Sequence, residues 1–213
     1  MRTALLLLLA LAGVGCGSTD STEASGPPVV KHDAPDLPEA WQEVSVAGVR
    51  LGLPQGFAVV DLTRADLDEA FKEFSIPGEA GAAMVRQTKE MAKQGLIKFV
   101  AFGEEVDGFR ENVNLNVIPA VGATLEKVRD EGVQAMASVT KNLKSQVLSD
   151  PARVEISGDM TAQGPAGPFT YRIHAQQFLH NGKLYTITFS FPPSRESVNL
   201  EMANQVLKVV RFD

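Results

Sequence analysis

Apolar and polar residues alternate at Glu43-Val44-Ser45-Val46 and again at Val49-Arg50-Leu51-Gly52-Leu53, on either side of Ala47-Gly48. This pattern predicts a β-hairpin, closed by Pro54-Gln55-Gly56. Thr63-Arg64-Ala65-Asp66 resembles a capping box and predicts a helix burying Leu67, Ala70, Phe71 and Phe74. After Ser75-Ile76-Pro77-Gly78, a second helical pattern carries Ala80, Met84, Thr88 and Met91 and stops at Gly95. Ile97 to Phe102 and Val113 to Ile118 read as strands flanking the acidic loop Gly103-Glu104-Glu105-Val106-Asp107-Gly108. Leu125, Val128, Gly132, Met136, Val139 and Leu143 recur at three- and four-residue spacings and predict one long helix from Thr124 to Leu143. A short strand from Arg153 to Ile156 and a surface loop at Gly164 to Pro168 follow. Next come a long hairpin from Phe169 to Phe191 and a last helix from about Ser194, burying Val198, Met202, Val206 and Val209 or Val210.

The long hairpin turns at Asn181-Gly182. A two-residue turn would set Leu179 opposite Leu184 and His174 opposite Phe189, mixing polar and aromatic residues on each face. A three-residue loop, His180-Asn181-Gly182, pairs Leu179 with Lys183 and separates them. Arg172, His174 and Gln176 would then face Ser190, Thr188 and Thr186, and this bulged loop is the expected one. The order ββ-α-α-ββ-α-β-ββ-α, dominated by hairpins, predicts an α+β fold: a largely antiparallel sheet with helices packed on it.

The first residues read differently. Arg2 precedes a short apolar run from Ala4 to Ala12, then Ala12-Gly13-Val14-Gly15-Cys16. The run is far shorter than the ~20 residues of a spanning helix, so residues 1–15 read as an export signal. The stretch resembles the lipobox of bacterial lipoproteins, with Gly13 where Leu is commonest. That resemblance implies diacylglyceryl attachment to Cys16 and cleavage just before it. Residues 16–40 then form a tether rich in Ser, Thr, Gly, Pro and acids, averaging ~25 Å end to end. Residues 41–213 form one domain, held at the extracytoplasmic face of the cell membrane.

Composition narrows the functions. The 213 residues suffice for one well-buried domain. The formal charge of −6 becomes more negative when the signal removes Arg2, which argues against nucleic acid as a partner. Cys16 is the only cysteine, which excludes a disulfide framework, a multi-cysteine zinc site and a cysteine nucleophile in the domain.

A first hairpin ending in Gly-Leu-Pro-x-Gly-Phe (Gly52 to Phe57) precedes the Asn-x-Asn strand at Asn114 and Asn116 and a late hairpin followed by a terminal helix. From about Trp41 to Asp213 this layout resembles the PsbP-like α/β/α sandwich. That superfamily includes extrinsic photosystem subunits, a Ran-binding nuclear factor and the LpqN/LpqT-type lipoproteins of actinobacteria. The lipobox and tether make the last group the nearest in character. The resemblance implies a binding or accessory module, and beyond Cys16 it carries over no functional residue.

Candidate chemistry is sparse. No Gly-x-Ser-x-Gly elbow or phosphate loop is present, and His32 lies in the tether. His174 and His180, six strand residues apart, stand ~20 Å from each other and cannot share a metal ion. Glu104-Glu105-x-Asp107 lacks the ligand ladder of a calcium loop and reads as a solvated hairpin tip. The methionines at 84, 91, 136 and 202 fall on apolar helix faces and read as core. No catalytic residue, metal or cofactor is expected. One constellation stands out: Arg172, His174, Gln176, Thr186 and Thr188, continued by Asn114 and Asn116, as a polar sheet face able to bind a protein or small-molecule partner. The leading expectation is a membrane-tethered, non-enzymatic binding module. A carrier of a lipid or other small apolar ligand comes second, and an envelope hydrolase last.

Overall fold

The computed structural model describes residues 37–63, 66–72, 86, 88–107, 109–164 and 167–213. The signal, Cys16, most of the tether, Phe74, Ala80 and Met84 lie outside them. β1 (Trp41–Val46) and β2 (Val49–Pro54) form the expected hairpin, and β3 (Ala58–Asp61) follows. After a short helix, Leu67–Lys72, and helical residues 88–93 come β4 (Ile97–Val106) and β5 (Phe109–Pro119). The helix Leu125–Met136 leads to β6 (Thr140–Ser149), β7 (Ala152–Gly164), β8 (Gly167–His180) and β9 (Lys183–Phe191). A 3-10 turn, Pro193–Arg195, opens the last helix, Glu196–Val209, and β10 (Arg211–Phe212) follows it.

The fold is α+β, and every strand pairing among the described residues is antiparallel. β1-β2-β10 form a small sheet; β3-β4-β5-β9-β8-β7-β6 form a seven-stranded one. On one face of the large sheet, Phe99, Val113, Leu115, Ile187, Phe189 and Phe191 are buried with Ala203 and Val206 of the last helix and Val49, Leu51 and Leu53 of β2. We call this the helix face. On the reverse face, Ile156, Met160, Tyr171 and Ile173 pack with Val128 and Met136 of the middle helix. At the opposite end of that face, Val60, Val100 and Phe102 pack with Phe71 and Met91.

Local chemistry explains the element ends. Asp66, not Thr63, caps the first helix, its carboxylate accepting from Glu69 N–H at 2.9 Å. Thr63 instead donates both its N–H and its hydroxyl to Asp61. Gly95, at φ +69°, closes the next helix as expected: its N–H reaches Ala92 O while Leu96 N–H reaches Met91 O.

Several expectations need correction. The middle helix starts as read, with Thr124 accepting from Lys127 N–H, but it ends at Met136 and gives way to β6. Val139, Leu143 and Val147 do pack on the core, and a four-residue spacing is two strand periods as well as roughly one helical turn. The strand read as Arg153 to Ile156 is thirteen residues long. Gly167 and Pro168 belong to β8 rather than to a loop. In the last helix Val198 is exposed, and Asn199 takes the inward position because it donates to the buried Glu111 at 2.8 Å. The acidic residues Glu104, Glu105 and Asp107 do lie exposed at the β4–β5 hairpin tip as read, with Glu104 and Asp107 meeting Arg195 and Ser194 at the start of that helix.

Candidate functional site

The decisive geometry is the β8–β9 turn. It has two residues, Asn181 at φ +48° and Gly182 at φ +69°, so Leu179 pairs with Leu184 and His174 with Phe189. The His174 and Phe189 rings lie 6.4 Å apart. The bulged loop is therefore refuted, and the seven sequence-predicted binding residues do not share one face. Arg172, His174 and Gln176 point to the helix face; Asn114, Asn116, Thr186 and Thr188 point to the reverse face. Polarity does not separate the two faces of this sheet. Instead the boundary on the helix face runs between β8 and β9, along the strands. Phe189 and Phe191 of β9 meet the last helix's cluster, while β8's polar residues align with Glu155, Ser157 and Asp159 of β7.

Apart from His174 Nδ1, that helix-face strip is internally paired. Arg153 donates from Nε to Gln176 Oε1 at 2.8 Å and from Nη2 to Glu155 Oε1 at 2.9 Å. Gln176, fully buried, donates through Nε2 to Glu155 and to His174 Nε2. The histidine must accept there, so its proton sits on Nδ1, which is buried with no partner among the described residues. Burial pulls the His174 pKa below its ordinary value; Glu155 opposes that shift and Arg153 adds to it. Asp159 is held low by the hydrogen bond from Arg172 Nε at 2.7 Å, against burial, with Asn142 also donating. Arg172 also pairs with Glu196. A histidine locked as a neutral acceptor from an amide is poorly placed to serve as a general base.

The reverse face is different. Gln177, Thr186 and Asn116 form one row across β8, β9 and β5; Ala175, Thr188 and Asn114 form the next, and Ile173, Ser190 and Asn112 the third. Val154 and Ile156 border these rows on the β7 side, and Ile97, Val100 and Phe102 on the β4 side. The result is a buried polar tract between the two apolar clusters of this face. None of these positions carries a titratable group, so the tract offers only amides and hydroxyls.

Its internal hydrogen bonds are long: Asn116 Nδ2 to Asn114 Oδ1 and Gln177 Nε2 to Thr186 Oγ1, both 3.4 Å. Asn116 Oδ1 and Gln177 Oε1 are buried and have no partner among the described residues. Leaving such an acceptor unpaired costs ~1–3 kcal/mol, so the tract is expensive as pure structure. Gln177, absent from the sequence-based set, belongs to it. The Asn-Gly dipeptide was the available signal, since a two-residue turn places Gln177 opposite Thr186.

Comparison with known proteins gives likeness without a family. No family model matches this chain, and no curated protein matches it. Solved structures do. The chain is similar to the PsbP protein CyanoP of Synechocystis sp. PCC 6803, at 12% identity and a TM-score of 0.45 over 89% of this chain and 98% of that one. It is similar to a Mog1 variant at 10% identity and a TM-score of 0.46, over 81% and 95% of the two chains. For LpqN of Mycobacterium tuberculosis, a protein involved in cell envelope biogenesis, the values are 7% and 0.44, over 80% and 88%. The functional reading therefore has to come from this chain's own side chains. Among the described residues no cluster of His, Cys, Asp and Glu could hold a metal ion, and no helix is long and apolar enough to cross a membrane.

Proposed function

We propose that this chain is a non-catalytic binding module held at the extracytoplasmic face of a membrane by acyl chains on Cys16. The observation that carries the binding part is the reverse-face tract, where two buried acceptors lack partners between well-packed apolar clusters. A domain selected for stability alone gains by filling such a tract with apolar side chains. The anchoring part rests on the amino-terminal pattern: a short apolar run, small residues and the chain's single cysteine. Two or more acyl chains, at ~0.8 kcal/mol per buried methylene, hold a protein durably at a bilayer. The acidic, Pro-containing stretch that follows sets the domain off the headgroups.

The test is metabolic labelling of the full chain with radioactive palmitate. The label is expected in the membrane fraction and is expected to vanish in Cys16→Ser. An unlabelled, freely released wild-type chain overturns the anchor. For the binding part, photo-crosslinking from Thr188 in the native envelope is expected to capture a defined partner or ligand. Crosslinks no different from those at the exposed Lys93 overturn it.

A further inference from the structure

We infer that the tract formed by Asn114, Asn116, Gln177, Thr186 and Thr188 is the site of an uncharged small molecule presenting N–H or O–H donors, such as an amide or a polyol. This deepens the reading of the domain as a binding module and rests on it.

The unpaired groups set the chemistry. As oriented by their bonds to Asn114 and Thr186, both orphans, Asn116 Oδ1 and Gln177 Oε1, are acceptors, so what completes them in this orientation donates. They lie on one cross-strand row with Thr186 between them, and strands ~4.8 Å apart place the two residues about 10 Å from each other. A molecule that completes both would have to span that row. Charge argues for neutrality: the three rows carry amides, hydroxyls and apolar side chains only, and a charged ligand would be buried without a counter-charge. The long bonds within the tract point the same way, because loosely held amides can reorient toward a better partner at little loss.

The experiment uses the full chain in detergent micelles, with the side-chain amide signals of Asn116 and Gln177 followed by NMR. The probes are acetamide and its charged isostere acetate. Acetamide is expected to shift both signals saturably, with acetate at least tenfold weaker. Asn116→Leu and Gln177→Leu are expected to abolish saturation and to raise the urea midpoint of the free protein, since each removes an unpaired acceptor and gives up only one long 3.4 Å bond. The inference is overturned if acetamide does not saturate, if acetate binds as well, or if both variants lower the midpoint. The last outcome means that fixed waters already pair the two oxygens and the tract is structural. Failure of this test with partner capture intact removes the site and leaves the module reading standing.

Discussion

Arg153 is the residue whose removal best tests the account of the helix-face strip. Its side chain is 10% exposed and that of Glu155 15%, so their 2.9 Å ion pair is nearly dry. Arg153→Met deletes that pair, the 2.8 Å bond to Gln176 Oε1, and two bonds to the carbonyls of Asp150 and Pro151. Breaking a buried pair from one side costs ~3–5 kcal/mol, because the remaining charge is stranded. Glu155 is not fully stranded: the amides of Gln146 and Gln176 still donate to it. The low end, ~3 kcal/mol, therefore applies, which for a chain of this length lowers Tm by about 6–12 °C. Urea denaturation at pH 7.5 measures it, and a double-mutant cycle with Glu155→Gln is expected to return at least ~1 kcal/mol of coupling. The acid limb adds a second readout. Burial raises the Glu155 pKa, but hydrogen bonds from Gln176, Gln146 and Arg153 outweigh it, and the net shift is below the ordinary 4.5. Its stabilisation is present above that value and lost as pH falls through the lower folded pKa, and Arg153→Met shrinks that acid-dependent part. A loss under ~1 kcal/mol, or no coupling in the cycle, refutes the network as described.

His174 predicts a separate window. Its folded pKa lies below the ordinary 6.5, so the unfolded chain takes the proton first. Stability should fall as pH drops from 6.5 to the folded pKa, by at most ~1.4 kcal/mol per pH unit, and then level; His174→Gln should flatten this segment of a urea-midpoint titration. Gly158→Ala should cost ~1–3 kcal/mol by overpacking, since a Cβ there would lie 2.2 Å from Thr140 Cγ2 and 3.0 Å from Lys141 O. Thr140→Ser should restore only part of that loss, because the backbone oxygen stays, and full recovery in denaturation midpoints would contradict the packing. Glu111→Gln should cost ~1–2 kcal/mol: the carboxylate, 5% exposed, accepts from Asn199 and from the partly exposed Arg195, which water screens. An unchanged midpoint would show that these bonds do not anchor the last helix.

Elements announced by local chemistry were legible in the sequence. The first hairpin follows from alternation around Ala47-Gly48, both at positive φ. The middle helix is marked by Thr124 at its start, and the helix before β4 by Gly95 at its end. What escaped was set by neighbours distant in the chain. β6 is an edge strand held by β7, and its apolar residues keep a spacing that a helix shares. β10 exists because Arg211 and Phe212, just beyond the last helix, meet Arg50 and Val49 of β2, about 160 positions earlier in the chain. Val198 and Asn199 exchanged their expected places because a carboxylate on β5 rewards the amide more than water rewards the valine's exclusion.

The hairpin register shows most clearly why alternation alone misled. The inference from polarity to face holds for a sheet with one wet side, where each strand has a single answer to which residues point inward. Ile173 to Phe178 of β8 and Leu184 to Phe191 of β9 have no wet side: Gln176 and Gln177, adjacent and pointing oppositely, are both fully buried. With both faces enclosed, a polar residue is placed by whether a partner waits for it. On the helix face the partners wait, since Arg153, Glu155 and Asp159 of β7 stand beside His174, Gln176 and Arg172. On the reverse face they are incomplete, as Asn116 and Gln177 each keep an oxygen free among the described residues. The two polar strips, a few ångströms apart through one sheet, thus differ in what they lack. The helix-face strip is held by charged groups and leaves one donor, His174 Nδ1, unpaired. The other is short of donors, and a domain that keeps such a deficit between two apolar clusters has a reason to admit a molecule that supplies them.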